Sequence, residues 1–219
     1  MTLPRIAALL LAAFFALAAA SQEPFPELES RAAALKALED PDPRFRLAGV
    51  VYFGRNGLAA DGPLLVKRLS DENPVVRGIA GQAVWLAWSR SGDEETDRLL
   101  ESGVAEMNAR RYPRAIEIFT GVIERSPDFA EGWNKRATAF YLAGDMRKSL
   151  ADCDEVMKRN PQHFGALSGY GQIYVRLEQY ERAIEYFRRA LAVNPNLTDL
   201  ETVIRGLEEL VRERRRRAI

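Results

Sequence analysis

The sequence predicts an all-α protein in which pairs of helices repeat along the chain. The first observation is a period of thirty-four residues, marked by three dipeptides in which proline follows a polar residue: Ser126-Pro127, Asn160-Pro161 and Asn194-Pro195. The second is a shorter period of thirty-one residues, which relates Pro43 to Pro74. The third is that apolar residues follow helical spacing, and that no stretch alternates as a β-strand does.

The N-terminal residues predict an export signal. Arg5 precedes an uncharged apolar run of fifteen residues that ends in small residues at Ala20. This pattern predicts a signal peptide, 1–20, cleaved before Ser21, and therefore a periplasmic or secreted protein. The run is shorter than the roughly 18 residues of a membrane span, so we expect no stable span after cleavage. An uncleaved anchor is the alternative. Residues 21–27 contain two prolines and are predicted to form a tether.

Residues 28–90 carry the shorter period. Asp42-Pro43 and Asn73-Pro74 occupy matching positions, and an arginine follows each proline by three residues. Aspartate and asparagine accept hydrogen bonds from free amides at a helix N-terminus, and proline suits the first helical position. The pattern resembles HEAT repeats of the short bacterial kind, with an irregular region of helical hairpins as the alternative. The predicted helices are 28–39, 43–54, 62–70 and 74–89, followed by a junction at 90–93.

Residues 96–195 carry three units of the longer period, which begin at Thr96, Ala130 and Phe164. Position eight of the unit is small, and position twenty-four is apolar. The residues at position eight are Gly103, Ala137 and Gly171, and those at position twenty-four are Phe119, Cys153 and Phe187. This pattern resembles the tetratricopeptide repeat. The predicted helices are 96–109, 112–125, 130–143, 146–159, 164–177 and 180–193.

The C-terminal residues 196–219 are predicted to form a capping helix with a basic tail. Its apolar residues have helical spacing and would cover the open end of the stack: Leu197, Leu200, Val203, Ile204, Leu207, Leu210 and Val211. The five arginines within 212–217 suit a helix C-terminus, and a phosphate-binding patch is the alternative. The resemblances together imply a right-handed α-solenoid of helix-turn-helix repeats, HEAT-like repeats first and tetratricopeptide repeats after them, closed by this helix.

Composition argues against several classes of function. Basic and acidic residues number 31 each, so no bulk electrostatic field favours nucleic acid, and we expect no nucleic-acid partner. A single histidine and a single cysteine exclude the usual His/Cys zinc site. The sequence has no phosphate-binding glycine loop and no Gly-x-Ser-x-Gly motif. We therefore expect no catalytic residue, no metal and no cofactor.

Three polar features have a plain structural interpretation. His163 stands at a predicted helix start, where a lone histidine is expected to form structural hydrogen bonds rather than to act as a base. Cys153 takes the place of a core phenylalanine, so it is predicted to be buried and inert. The acidic cluster Asp152, Asp154 and Glu155 is predicted to point to different sides of a helix, which disfavours a shared metal.

The resemblance to tetratricopeptide proteins also implies a binding surface. In this family the first helix of each unit lines a concave groove, and the groove binds peptides. Carried onto this chain, the predicted peptide-binding residues are Leu100, Met107, Asn134, Lys135, Thr138, Tyr141, Ser168, Gln172 and Arg176. They combine hydrogen-bonding, charged and apolar groups. The alternative is a solvated face with no single partner.

Some tetratricopeptide domains hold a partner's C-terminal carboxylates in a five-residue clamp of lysine, asparagine and arginine. The matching positions here are Leu100, Val104, Lys135, Gly165 and Gly169, of which only Lys135 could serve. The sequence therefore predicts a peptide or protein partner other than a di-acidic terminus. The predicted function is a protein-interaction scaffold in the cell envelope. A non-catalytic accessory subunit of an enzyme and a self-associating solenoid are the alternatives, and the oligomeric state stays open.

Overall fold

The protein is described by a computed structural model that covers residues 26–217. The predicted signal peptide and the tether residues up to 25 lie outside the described residues. Residues 26–217 are helical with connecting turns and contain no strand, so the all-α prediction is confirmed there. The chain divides into two compact units between Arg90 and Ser91.

In its described part, residues 26–90, the first unit contains four α-helices and two short 3-10 turns. The helices are α1 (Arg31–Leu38), α2 (Pro43–Asn56), α3 (Gly62–Lys67) and α4 (Pro74–Trp88), and the 3-10 turns are Ala59–Asp61 and Arg68–Ser70. Helix α1 begins three residues later than predicted because the Ser30 hydroxyl accepts the Ala33 amide at 3.2 Å and caps the helix. The predicted helix 62–70 changes to 3-10 geometry after Lys67, and the turn at 59–61 was not predicted.

Matching helix starts confirm the capping prediction. Asp42 Oδ1 accepts the Arg44 amide at 2.8 Å, and Asn73 Oδ1 accepts the Val75 amide at 2.9 Å. A proline occupies the first turn of α2 and of α4. The side chain therefore satisfies an amide that the helix itself leaves free.

The two matched arginines also form equivalent hydrogen bonds. Arg46 Nη1 donates to the main-chain oxygens five and six residues before it, at 2.8 and 3.0 Å. Arg77 Nη1 donates to the corresponding oxygens at 3.0 and 2.7 Å. Arg46 in addition forms a buried bidentate pair with Asp71, with Nε–Oδ2 at 2.8 Å and Nη2–Oδ1 at 2.9 Å. The thirty-one-residue period thus describes a repeated set of contacts.

The second unit contains seven helices. They are α5 (Glu94–Asn108), α6 (Tyr112–Arg125), α7 (Ala130–Ala143), α8 (Met146–Arg159), α9 (Phe164–Arg176), α10 (Tyr180–Val193) and α11 (Thr198–Arg217). Four of the predicted helices, α6, α7, α8 and α10, have the predicted ends. Helix α5 begins two residues early because Asp93 Oδ1 accepts the Thr96 amide at 2.8 Å and so caps the helix.

Positions eight and twenty-four of the repeat pack against each other. A Cβ atom built on Gly171 would lie 2.3 Å from Cε1 of Phe187, and one on Gly103 would lie 2.4 Å from Cε1 of Phe119. The middle repeat instead combines Ala137 with Cys153, which is smaller than phenylalanine. A small residue at one position therefore leaves room for the large residue at the other.

The six repeat helices form three hairpins, α5–α6, α7–α8 and α9–α10. Each second helix contacts the first helix of the next hairpin, and the first helices α5, α7 and α9 also contact one another in succession. The exposed side of these three helices is called here the first-helix face. It contains the surface that the sequence predicts to be the groove.

The turn inside each hairpin contains one residue with left-handed backbone geometry. These residues are Arg110 with φ of 59°, Gly144 with φ of 89° and Glu178 with φ of 58°, one repeat apart. Glycine adopts this geometry without a steric penalty, whereas arginine and glutamate do not.

Helix α11 covers the end of the stack only in part. Ile204, Leu207 and Val211 are buried, and α11 contacts α10. Val203 and Leu210 belong to the predicted covering set but are 40% and 44% exposed, so that part of the prediction is wrong. No later helix lies in the described residues to cover them. None of the helices within 26–217 is long and apolar enough to cross a membrane.

The basic tail makes contacts within the second unit. Arg214 Nη2 lies 2.7 Å from Glu178 Oε2, and its guanidinium lies 4.4 Å from the Tyr180 ring centroid. Arg215 Nη2 lies 3.5 Å from Glu181 Oε1. These pairs join the last turns of α11 to the start of α10, although all are exposed and each contributes little to stability.

Candidate protein-interaction face

Two predicted groove residues from different repeats meet on the first-helix face. The guanidinium carbon of Arg176, on α9, lies 5.4 Å from the ring centroid of Tyr141, on α7. Arg176 is exposed and Tyr141 is half-buried. A cation over an aromatic face is an attractive arrangement that leaves the guanidinium N–H groups available for further hydrogen bonds. The contact shows that positions twelve and thirteen of neighbouring repeats share one surface.

The polar residues at the centre of this face differ in how many hydrogen-bond donors and acceptors they can still offer a ligand. Thr138 Oγ1 donates to the Asn134 carbonyl and Ser168 Oγ donates to the Phe164 carbonyl, both at 2.9 Å. These hydroxyl protons are therefore already used, and only oxygen lone pairs are left for a ligand. Gln172 is exposed, and its side-chain amide makes no hydrogen bond within residues 26–217. It can both donate to and accept from a peptide backbone.

Two predicted groove residues are not surface groups. Leu100 is 3% exposed and belongs to the core of the second unit, so it presents no area to a ligand. Asn134 is 8% exposed, and its Nδ2 donates to Glu131 Oε2 at 3.0 Å. Met107, by contrast, is half-buried and keeps some accessible surface.

A buried carboxylate organises the polar residues of α7. Glu131 lies 2.8 Å from Lys135 Nζ through Oε1 and 3.0 Å from His163 Nε2 through Oε2. Burial by itself raises the pKa of Glu131, but the charge of Lys135 and the hydrogen bond with His163 lower that pKa to about 2. Glu131 is therefore ionised, and Lys135 is committed to it rather than to a ligand.

The protonation of His163 follows from its two contacts. Nδ1 accepts the Ala166 amide at 3.0 Å, so Nδ1 carries no proton. Nε2 must then carry the proton and donate it to Glu131. His163 thus caps α9 and links it to α7, which is the structural role predicted for it. The sequence signal for the network was Glu131 with lysine four residues later, on one face of a helix.

The acidic cluster on α8 is dispersed as predicted. Asp152 forms a bidentate pair with Arg136, with both distances at 2.8 Å. Asp154 accepts the Tyr170 hydroxyl, while Glu155 pairs with cations on its own helix. Within residues 26–217 no group of three His, Cys, Asp or Glu side chains could hold a metal.

Cys153 is buried, as the sequence predicts. Its side chain is 2% exposed. Burial, followed by the charges of Asp152 and Asp154, raises the pKa of the thiol to about 12. The thiol therefore stays protonated at neutral pH and is a poor nucleophile.

The five clamp positions hold no anion-binding set. Leu100 is buried, Val104 is apolar, and Gly165 and Gly169 have no side chain. Lys135 is paired with Glu131. No cluster of cations therefore converges at these positions to hold a carboxylate pair.

Comparison with known families identifies the class of the second unit. Residues 100–163 and 164–197 each match a family model described as tetratricopeptide repeat. The tetratricopeptide repeats predicted from the period of thirty-four residues are therefore confirmed for 100–197.

Curated relatives match this same part of the chain. A TPR repeat-containing protein of Rhizobium etli is 33% identical over 110 residues, which are 50% of this chain and 54% of that protein. Hsp70-Hsp90 organizing protein 1 of Glycine max is 26% identical over 115 residues, 52% of this chain and 20% of that protein. The chain thus spans about half the length of the first relative and a fifth of the second.

Solved structures share the fold. The Sgt2 TPR domain from Aspergillus fumigatus has a TM-score of 0.54 and 21% identity, covering 57% of this chain and 83% of that domain. The first TPR domain of Spaghetti, bound to an HSP90 peptide, has a TM-score of 0.52 and 22% identity, covering 54% and 95%. At this identity the likeness establishes the fold alone.

Proposed function

We propose that this protein is an exported, non-catalytic interaction scaffold that binds a peptide or protein partner on the first-helix face, as an envelope assembly or accessory factor. The observation that carries this proposal is the group formed by exposed Gln172 and Arg176 on α9 and half-buried Tyr141 on α7, two neighbouring first helices. Exposed aromatic, amide and cationic groups on a rigid helical scaffold are typical of peptide recognition.

The relatives support peptide binding but not a shared ligand. The Spaghetti domain is bound to an HSP90 peptide of sequence SRMEEVD, which has three acidic residues among its last four. In this chain Lys135 is the only cation at the clamp positions, and it is held by buried Glu131. We therefore propose a partner segment other than an acidic C-terminus.

A scaffold without catalysis also fits the chemistry of the nucleophiles and bases. Both ring nitrogens of His163 are engaged in structural hydrogen bonds, and Cys153 is buried and protonated. A general base needs a free, reachable nitrogen, and a thiol nucleophile needs access and a lowered pKa. Neither condition is met by these residues.

Photocrosslinking tests the proposed face. A photoreactive phenylalanine analogue placed at Gln172, on α9, is expected to give a discrete crosslinked partner in intact cells. The matched control is the same analogue at Glu124, which is also exposed but lies on the second helix α6. Equal crosslinking from both positions, or none from Gln172, would remove the first-helix face from the proposal.

Export and the N-terminal repeats are further parts of the proposal. Residues 28–90 are proposed to be HEAT-like, supported by the equivalent hydrogen bonds of Arg46 and Arg77. Cell fractionation followed by N-terminal sequencing tests export. We expect a soluble envelope protein that begins at Ser21. A membrane-bound protein that retains residues 1–20 would instead support the anchor.

Self-association is a second candidate function, because Val203 and Leu210 on α11 are exposed apolar side chains seven residues apart on one helix side. Light scattering across a range of protein concentrations separates it from partner binding. A mass that rises with concentration, and that returns to the monomer in Leu210→Glu, would favour self-association. A constant monomer mass would exclude it.

A further inference from the structure

Two charges on the first-helix face lack an ion-pair partner. Glu101, on α5, is exposed and forms no ion pair within the described part of the chain. Arg176, on α9, contacts the Tyr141 ring but no carboxylate there. Other charged groups at groove positions are engaged: Lys135 pairs with Glu131, and Asp97 accepts the Ser91 amide at 2.7 Å. The face is therefore acidic at its first repeat and basic at its third.

An apolar strip runs across the same face. Position twelve holds Met107, Tyr141 and Val175, one from each first helix, and all three are half-buried. Tyr141 and Val175 pack against the same buried core cluster, which anchors both side chains. Leu142 extends the strip and is 41% exposed. Apolar surface anchored on a core can bind apolar side chains of a partner without reorganising.

The size of the face limits what can span it. Helices α5, α7 and α9 contact one another in succession. Packed helices lie about 8–10 Å apart, so α5 and α9 are about 16–20 Å apart across the face. Glu101 and Arg176 are also seven repeat positions apart along the helix axis, which adds about 10 Å in that direction and places the two charges about 19–23 Å apart. An extended chain advances about 3.3 Å per residue, which gives about six or seven residues between the two ends.

We infer that the first-helix face binds an extended protein segment whose two ends carry opposite charges. A lysine or arginine of the segment lies against Glu101, a carboxylate about six or seven residues away lies against Arg176, and apolar side chains between them occupy the strip. This inference rests on the proposed function and specifies its partner. The polarity excludes an acidic end over the first repeat, because Glu101 would repel it.

Peptide selection on the full chain tests this inference. A displayed library of random twelve-residue peptides is panned against the protein, and the selected peptides are synthesised with capped ends, so that no terminal charge contributes. We expect the binders to combine one base and one acid, about six or seven residues apart, with apolar residues between them. Fluorescence anisotropy then measures the affinity of each capped peptide for the protein and its variants.

Charge-reversal variants test which end of the peptide contacts Arg176 and which contacts Glu101. Arg176→Glu is expected to weaken binding about tenfold, and exchanging the peptide's acid for lysine is expected to restore it. Glu101→Lys should act in the same way on the peptide's base. The milder variants Arg176→Gln and Glu101→Gln should give intermediate losses. The controls Arg147→Glu and Glu124→Lys make the same charge changes on second helices and should leave affinity unchanged.

A steric variant separates failure of the inference from failure of the proposed function. Thr138 is exposed at the centre of the face, so Thr138→Trp should block any ligand there. If Thr138→Trp abolishes binding but neither charge reversal changes the affinity, the first-helix face binds the peptide and the inferred charge pairing is wrong. Binding that survives Thr138→Trp, or the absence of any selected peptide, would overturn both. Circular dichroism confirms that each variant is folded.

Discussion

His163 Nε2 lies 3.0 Å from Glu131 Oε2, and each of these two side chains is only 1% exposed. The contact joins the start of α9 to the start of α7 across one repeat. A neutral histidine that donates to a buried carboxylate explains why the polar residues of α7 turn inward. It also explains why Lys135 and Asn134, predicted to bind peptide, are instead bound to Glu131.

The Glu131 network is expected to make stability depend on pH. Its folded-state pKa of about 2 lies below the ordinary value of 4.5, so the network stabilises the fold above about pH 4.5 and this stabilisation is lost as pH falls toward 2. Glu131→Gln should therefore lower the unfolding free energy by about 2–3 kcal/mol at pH 7, and the difference from wild type should shrink in that acid window. Urea titrations at several pH values measure it. Glu124→Gln, on an exposed site, is the control, and a difference that persists at pH 2 would contradict the assignment.

The pairing of positions eight and twenty-four predicts coupled substitutions. Gly171→Leu should overpack the contact with Phe187 and destabilise the second unit by about 1–3 kcal/mol, and Gly171→Ala should act in the same direction. Combining Gly171→Ala with Phe187→Cys reproduces the pair in the middle repeat, so the double variant should lose less stability than the two single losses together.

Thermal unfolding of the four proteins, wild type, both single variants and the double variant, measures this coupling. Gly206→Ala is the matched control, because a Cβ atom there meets no atom within 4 Å. It should raise stability by about 1 kcal/mol through helix propensity alone. Strict additivity of the Gly171 and Phe187 changes would show that the two positions do not share one space.

Substitution of Arg110, the left-handed residue in the turn of the first hairpin, by glycine should relieve backbone strain. Arg110 has φ of 59°, a conformation that costs a residue with a Cβ atom about 1 kcal/mol. Arg110→Gly is expected to stabilise the second unit by up to about that amount, whereas Arg110→Ala keeps the strain and should have little effect. Gly144→Ala should destabilise the fold for the same reason. Equal effects of alanine and glycine at Arg110, measured by urea unfolding, would refute the strain argument.

The buried ion pair of the first unit is expected to be essential to it. Burial opposes ionisation of Asp71, but the Arg46 guanidinium holds the pKa of that carboxyl below its ordinary value. Asp71→Asn removes the buried carboxylate and leaves the buried Arg46 charge with exposed Glu72 as its ionic partner, so it should cost up to about 3–5 kcal/mol. The control is Asp40→Asn, one repeat earlier, which keeps the same turn contact to the Asp42 amide but faces no bidentate arginine. Unfolding followed by the fluorescence of Trp85 and Trp88 should show a large loss only for Asp71→Asn.

Four of the six repeat helices could be predicted to the residue because their boundaries carry their own chemical signals. Proline marks the starts in the first unit, and the thirty-four-residue period transfers each boundary to the next repeat. The 3-10 turn at 59–61 has no repeated counterpart and carries no such signal. The exposed Val203 and Leu210 were misassigned because helical spacing defines an apolar stripe but not how much of it a single neighbouring helix covers.

Groove residues were harder to predict than helices for a related reason. Matching a residue to its position in the repeat predicts where its backbone lies, whereas the direction of its side chain depends on the residues around it. Asn134 turns toward Glu131 because a buried carboxylate must be satisfied by hydrogen bonds. Thr138, Gln172 and Arg176 have no such demand nearby and remain exposed. The exposed part of the predicted groove is therefore smaller than the sequence predicts, and it is centred on α7 and α9.

Amide hydrogen exchange of the full chain, with and without a selected peptide, tests most directly that the first-helix face is the binding surface. If the peptide binds this face, we expect slower exchange in α7 and α9, around Thr138 and Gln172, and little change in the second helices α6, α8 and α10. Protection confined to the second helices or to α11, with α7 and α9 unaffected, would contradict it.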